Sequence, residues 1–301
     1  MKGEPTLSIA SGNLRAEFWP GAGMLGVSLS HRGEEILRRI DDLESAREKG
    51  STAGIPLLHP WANRLASLHF RAAGHDVQLD GSSLLLHFDE HGLPMHGVPW
   101  GQLKWAVIDS KASSLLARLD WNRPEFLTVF PFAHTIELAA RIASDRLSVQ
   151  TTVFANAGCS VPISFGFHPY FGIPQVSRAQ WRLQTPAMLK LLLDSRGIPT
   201  GEEEAFGPLN TLLDEASYDD GFALLGDKPS FVLSGEQRSI SVDFLEGFPY
   251  AQVFAPKGKD FIALEPMTAP TSALTSGNGL RILESGGQFR ASFSIAVQSS
   301  A

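Results

Sequence analysis

The sequence predicts an all-β protein, one large antiparallel β-sandwich with little helix, spanning residues 1–301 as a single domain. Apolar residues recur with a period of two rather than 3.6, the signature of strands with one buried face. Glycine and proline, 28 and 19 in number, cluster between the periodic runs and punctuate them. No alternation of strands with helices calls for a parallel sheet.

Ile136, Leu138, Ala140 and Ile142 alternate with Thr135, Glu137, Ala139 and Arg141. After Ala143-Ser144-Asp145 the pattern resumes at Leu147, Val149, Thr151 and Val153, which reads as a β-hairpin. The same alternation marks Leu115 to Trp121, Ile240 to Phe244 and Phe289 to Val297. Only Glu34 to Lys49 offers near-helical spacing, through Ile36, Leu37, Ile40 and Leu43, and predicts one short surface helix. With 43% hydrophobic and 19% charged residues the composition is that of a globular protein.

The net charge of −7, with 25 scattered basic residues, leaves no basic stripe for nucleic acid. No apolar run approaches the roughly 20 residues that span a bilayer. Glu4 and Pro5 stand where a signal peptide would have its apolar core, and Cys159, the sole cysteine, cannot form an intrachain disulfide. The expectation is a cytoplasmic protein with neither nucleic-acid nor membrane partners.

Four segments are poor strands but rich in polar groups among glycines and prolines: Gly54–Leu65, Leu93–Trp100, Phe165–Phe171 and Phe261–Pro270. Such loops on a rigid sheet often carry binding or catalytic groups. If 261 to 265 is a strand, Glu265 shares a face with Phe261 and Ala263, opposite Ile262 and Leu264, and Pro266 ends the strand. Glu265 then lies at a pocket rim or where the strand meets water; partial burial would raise its pKa toward that of a general base. His168, between Phe167 and Pro169, is a packed ring or an acid–base group. His96, before Gly97, is a surface turn residue or a ligand contact. Arg64 makes a surface salt bridge or forks donors onto a sugar diol or carboxylate. Asp219 and Asp220 before Gly221 form a turn or a binding pair. Trp61, Trp100 and Trp105 suit core packing as well as sugar stacking. Histidines 59, 91, 96 and 168 show no HxH or HxxxH pair to anchor a metal, and none is expected. The GxxxxGK[ST], GxGxxG and GxSxG motifs are absent.

In their order, Ala62-Asn63-Arg64, Met95-His96-Gly97 with Trp105, His168-Pro169-Tyr170-Phe171, Tyr218-Asp219 and Leu264-Glu265-Pro266 resemble the aldose 1-epimerase (galactose mutarotase-like) family. The opening Gly21–Leu29 and Gly33–Leu37 are also similar to that family, so the resemblance runs from about residue 5 to residue 297. It implies a β-supersandwich with a sugar on its concave face, acting on an aldohexose without a cofactor, as a monomer or homodimer. Glu265 falls on the family's base, His168 on the acid that protonates the ring oxygen, and His96 on a second histidine that binds the sugar and assists the acid. Arg64 and Asp219 fall on residues that hydrogen-bond sugar hydroxyls, and Gln252 on a further contact. Two departures bear on which sugar is accepted: Phe167 replaces an asparagine, and the stretch Pro266–Pro270 is differently composed. Two alternatives share the scaffold: a hexose-6-phosphate 1-epimerase, which needs convergent cations, and a catalytically silent sugar-binding protein.

Overall fold

The hairpin read from residues 135 to 153 forms as strands His134–Ala143 and Arg146–Ala155. Ile142 faces Leu147 and Ala143 faces Arg146, so Ser144 and Asp145 make the turn, with Ser144 at φ 52°. Strand burial alternates residue by residue from His134 to Ile142, as a period of two requires when one face is packed. This computed structural model describes residues 6–39, 45–46 and 52–299.

The hairpin lies inside a nine-stranded antiparallel sheet. In spatial order its strands are Leu209–Leu212, Arg182–Thr185, Ser230–Gly235, Arg238–Glu246, Gln288–Ser299, Arg146–Ala155, His134–Ala143, Ser114–Trp121 and Ala106–Lys111. A second, eight-stranded sheet runs Pro199–Phe206, Met188–Leu193, Tyr218–Leu224, Tyr250–Ala255, Ile262–Met267, Gly166–Phe167 and Leu57–Leu58, with Tyr170–Phe171 also paired to Ile262–Met267. Phe167 of the second sheet packs on Phe293 of the first with ring centroids 5.0 Å apart, and Phe165 meets Phe289 at 6.2 Å. The main core therefore lies between two large sheets, each buried aromatic ring contributing about 1.5–3 kcal/mol by leaving water. A four-stranded N-terminal sheet, Leu7–Ser11, Leu14–Trp19, Leu25–His31 and Glu34–Glu35, adds to the periphery.

Three expectations are corrected. Glu34 and Glu35 are a short strand against Ser30 and His31, not the start of a helix. Ser45 and Ala46 are helical, and the remainder of the predicted helix, 40–44 and 47–49, lies outside the described residues. Pro266 does not end its strand: it sits opposite Ala251, and pairing resumes at Met267 opposite Tyr250 and Gly166. A missing N–H removes one ladder bond, which pairing on both edges of the strand outweighs. Asp219-Asp220-Gly221 lies within strand Tyr218–Leu224, not in a turn, because tertiary pairing with Tyr250–Ala255 overrides local turn preference. Apart from the helical Ser45 and Ala46, the α-helices Pro124–Val129 and Ala273–Ser276 are short. No helix among the described residues is long and apolar enough to cross a membrane.

Trp61, Trp100 and Trp105 are all buried packing residues. So is His59, whose Nε2 lies 3.0 Å from Nε2 of His134 in a cage of Trp121, Phe130 and Phe165. His134 Nδ1 lies 2.5 Å from the Phe132 carbonyl, which can only accept, so the neutral His134 ring carries its proton on Nδ1 and accepts from His59 at Nε2. Burial pushes His134 from 6.5 to about 4 and His59 well below its ordinary value, the neighbouring imidazole adding to the latter. Both pKa values are lowered on folding, so below about 6.5 the unfolded chain binds more protons and stability falls with pH until the folded rings titrate. For His134 alone the shift corresponds to about 3 kcal/mol. The melting temperature should therefore drop as the pH falls from 6.5 to 4. A His59→Gln/His134→Gln variant should flatten that part of the curve; an unchanged slope would assign it to other groups.

Candidate functional site

Strand Ile262–Met267 divides its side chains between two environments. Ile262 and Leu264 enter the inter-sheet core with Val253 and Phe222. Ala263 and Glu265 face the opposite side, where register places Gln252 and then Gly221 beside Glu265, and Phe254 and then Asp219 beside Ala263. A Cβ on Gly221 would come within 3.1 Å of Gln252 Oε1, so a larger residue there would push on that amide. On the other flank, Tyr170 pairs with Ala263, and the short turn before it carries His168. The approach of Gly166 to Met267 builds this flank; a Cβ on Gly166 would lie 2.8 Å from the Pro266 carbonyl oxygen.

Glu265, His168, Tyr170, Asp219 and Phe254 line a cleft of about 680 Å³ together with Arg64, His96, Thr52, Asn63 and Arg38. His168 Nε2 and Glu265 Oε1 are 3.1 Å apart at its floor, with side chains 6% and 1% exposed. The Tyr170 hydroxyl is 3.2 Å from the same His168 nitrogen and 2.5 Å from Thr52 Oγ1, and the two rings stack at 4.2 Å. Among the described residues, Glu265 Oε2 and His168 Nδ1 are buried without a hydrogen-bond partner. Such orphaned groups are exceptions that call for a functional explanation.

His96 stands edge-on to His168 with ring centroids 5.6 Å apart. Its backbone is left-handed at φ 61°, as is that of Asn63 at φ 55°. Strain of this kind persists only where surrounding contacts enforce it. Here the Asn63 N–H donates to His96 Nδ1 at 3.2 Å, and the His96 N–H donates to the Asn63 carbonyl at 2.9 Å. Gly97, at φ 66°, passes so close to His59 that a Cβ would lie 2.3 Å from its carbonyl oxygen. With Nδ1 accepting, neutral His96 keeps its proton on Nε2. Burial, aided by the charges of Arg64 and His87, lowers its pKa to about 3, so the neutral donor form prevails.

Arg64 is an ion-paired residue, but in a nearly closed setting: its Nε donates to Asp89 Oδ2 at 2.6 Å, with side chains 12% and 0% exposed. Asp89 also accepts from the backbone of His91 and Leu93 at 2.9 Å each, which fixes the guanidinium at the cleft wall. Gln252 Nε2 donates to Asp219 Oδ1 at 2.7 Å. Solvent reaches Asp219 through the open cleft, while the enclosing walls raise its pKa through desolvation. Asp220, on the opposite face, pairs with Lys190 at 2.9 Å.

Burial raises Glu265 well above its usual range, with Asp219 adding to the effect. Burial likewise lowers His168 well below its own, with the charges of His96 and Arg38 contributing. Ion pairing pulls the other way, but desolvation of both partners outweighs it. Each partner is thus pushed toward its neutral form, the carboxyl toward keeping a proton and the imidazole toward releasing one.

All six residues singled out in the sequence, Glu265, His168, His96, Arg64, Asp219 and Gln252, meet around this cleft or its direct extension. His59 lies in the core, so the four histidines considered for a metal do not converge, and no group of three or more His, Cys, Asp or Glu among the described residues is arranged to hold one. Tyr170, Thr52, Asp89, Arg38 and Lys259 were not singled out. Tyr170 alone carried a signal, two residues from His168 and on the same face. Phe167 packs in the inter-sheet core, so that departure from the family pattern lies behind the cleft wall.

The chain resembles known proteins along nearly its whole length. It is 25% identical over 257 residues to the uncharacterised YihR protein of Escherichia coli (strain K12), covering 81% of each. Its fold is shared with a galactose mutarotase-like protein from Clostridium acetobutylicum, at TM-score 0.84, 18% identity and coverage of 97% of this chain and 95% of that one. Galactose 1-epimerase from Lactobacillus acidophilus superposes at TM-score 0.78 with 13% identity, covering 100% and 97%. The aldose 1-epimerase family model matches residues 6–296, and the protein belongs to that family.

Proposed function

We propose that the cleft interconverts the α and β anomers of an aldohexose by opening and reclosing the pyranose ring. The observation that carries this reading is the buried His168–Glu265 contact of 3.1 Å, with one unsatisfied polar atom on each side chain. Ring opening removes a proton from the anomeric hydroxyl and delivers one to the ring oxygen. The O1–H electrons form the aldehyde π bond, and the C1–O5 bond breaks onto O5. Rotation about C1–C2 presents the other carbonyl face, and reclosure reverses both transfers.

A pair that shares one proton suits this exchange, because opening moves the proton from one partner's side to the other without changing the site's net charge. Glu265 takes the O1 proton as base while His168 supplies O5. Sugar hydroxyls donating to the Glu265 carboxylate favour its charged form and move the resident proton to His168 before opening. Tyr170, held by Thr52, supports the imidazole at Nε2. Neutral His96 donates from Nε2 to a sugar oxygen near the acid, while Arg64, Asp219 and Gln252 bind hydroxyls. Each well-placed acid or base contributes about 10²–10⁴-fold. This scale is adequate for a reaction that already proceeds in water.

Polarimetry on freshly dissolved α-glucose and α-galactose tests the reading. Optical rotation should reach its equilibrium value faster with protein, in proportion to its concentration. Unaltered decay alongside measurable sugar binding would instead make the protein a sensor on an epimerase scaffold.

A further inference from the structure

One end of the cleft carries charge that ring opening does not use. Beyond the acid–base pair its wall is aromatic, made of Tyr170, Phe254 and Phe261, and Arg38 and Lys259 stand at its edge. The Arg38 guanidinium carbon lies 4.4 Å from the Phe261 ring centroid and 5.8 Å from that of Tyr170. The Arg38 N–H donates to the Tyr170 carbonyl, and its own carbonyl accepts from Gly54, both at 3.0 Å. Lys259 is anchored similarly, its carbonyl accepting from Arg178 Nη1 at 2.9 Å. Both cations are thus fixed at their backbones, and Arg38 is also held over a rigid aromatic surface.

Among the described residues, neither Arg38 nor Lys259 has a carboxylate within ion-pairing distance, whereas Arg64 is closed by Asp89 and Lys257 by Glu215. Acidic groups gather elsewhere in the cleft, with Glu90 and Asp219 near Arg64. The cleft is therefore polarised, with its cationic end next to the His168–Tyr170 flank.

Covalent geometry links that end to a sugar. The ring oxygen that receives a proton is bonded to C5, and C5 carries the exocyclic C6. A substituent on C6 is therefore held a few bonds from the imidazole. Arg38 already acts on that imidazole, its charge being one of the influences, after burial, that lower His168. We infer that the preferred substrate is a hexose with an anionic group on its exocyclic carbon, held by Arg38 and Lys259 at the aromatic end of the cleft. This rests on the ring-opening reading above and specifies its substrate class. The anion also screens Arg38 from His168, so its benefit extends from binding to proton transfer. Phosphate and carboxylate share this chemistry.

The test compares anomerisation of glucose, glucose 6-phosphate and glucuronate by NMR exchange, and calorimetric binding of methyl α-glucoside with its 6-phosphate, neither of which can ring-open. At least one anionic sugar should exceed glucose in kcat/KM by about ten- to a hundredfold, the range of a charge-assisted contact. In an Arg38→Met/Lys259→Met variant that ratio should fall to near one; as a ratio it is insensitive to the amount of folded protein. The better of the two anionic sugars identifies the anion. Glucose turned over as well as both charged sugars, or a preference that survives the double substitution, overturns the inference. If no sugar is turned over yet the methyl glycoside phosphate binds in preference and the variant loses that preference, the anion site stands and the ring-opening reading falls.

Discussion

Replacing Glu265 by glutamine should lower kcat for anomer interconversion by about 10²–10⁴-fold, because the amide keeps the shape but cannot accept a proton. The carboxyl is 1% exposed, and among the described residues its Oε2 has no hydrogen-bond partner. The substitution should leave the melting temperature unchanged or higher, since it removes a group whose ionisation burial opposes. Loss of activity with retained stability separates a proton acceptor from a structural residue. A Glu265→Gln protein with near-full turnover would reject the role assigned to this carboxylate.

His168→Gln should produce a loss of similar size, with a distinct change in pH dependence. In the unmodified protein, activity requires the one-proton state of the pair. Acid removes that state by adding a second proton, which goes to the depressed imidazole, so the acidic limb lies below 6.5. Alkali removes it by taking the only proton, which the raised carboxyl holds, so the basic limb lies above 4.5 and well clear of it. The expected profile of kcat/KM is bell-shaped, with limbs that belong to the pair. Residual activity in His168→Gln should lose the acidic limb, and that in Glu265→Gln the basic one. A profile that keeps both limbs in either variant would place the titrating groups elsewhere.

The candidate site was legible where local pattern sufficed. The alternation at 261 to 265 already put Glu265 with Phe261 and Ala263, away from Ile262 and Leu264, because a strand's side chains can go only two ways. The turn chemistry of Asp219-Asp220-Gly221 and the stop at Pro266 misled, since each is a local preference that neighbouring strands outweighed. No local signal marked Asp89 as the buried partner of Arg64, or Arg38 and Lys259 as companions at one cleft end. In sequence each is an ordinary charged residue beside others of its kind.

From sequence alone came the all-β class, the faces of its strands, and the family whose motifs it carries, because backbone period and motif order are one-dimensional properties. Tertiary structure alone decided that residues 168 and 265 meet at 3.1 Å, that burial pushes each toward its neutral form, and that the cleft has a cationic end. Desolvation and electrostatic fields depend on distances between segments far apart in the chain, and only the closed sheets set those distances.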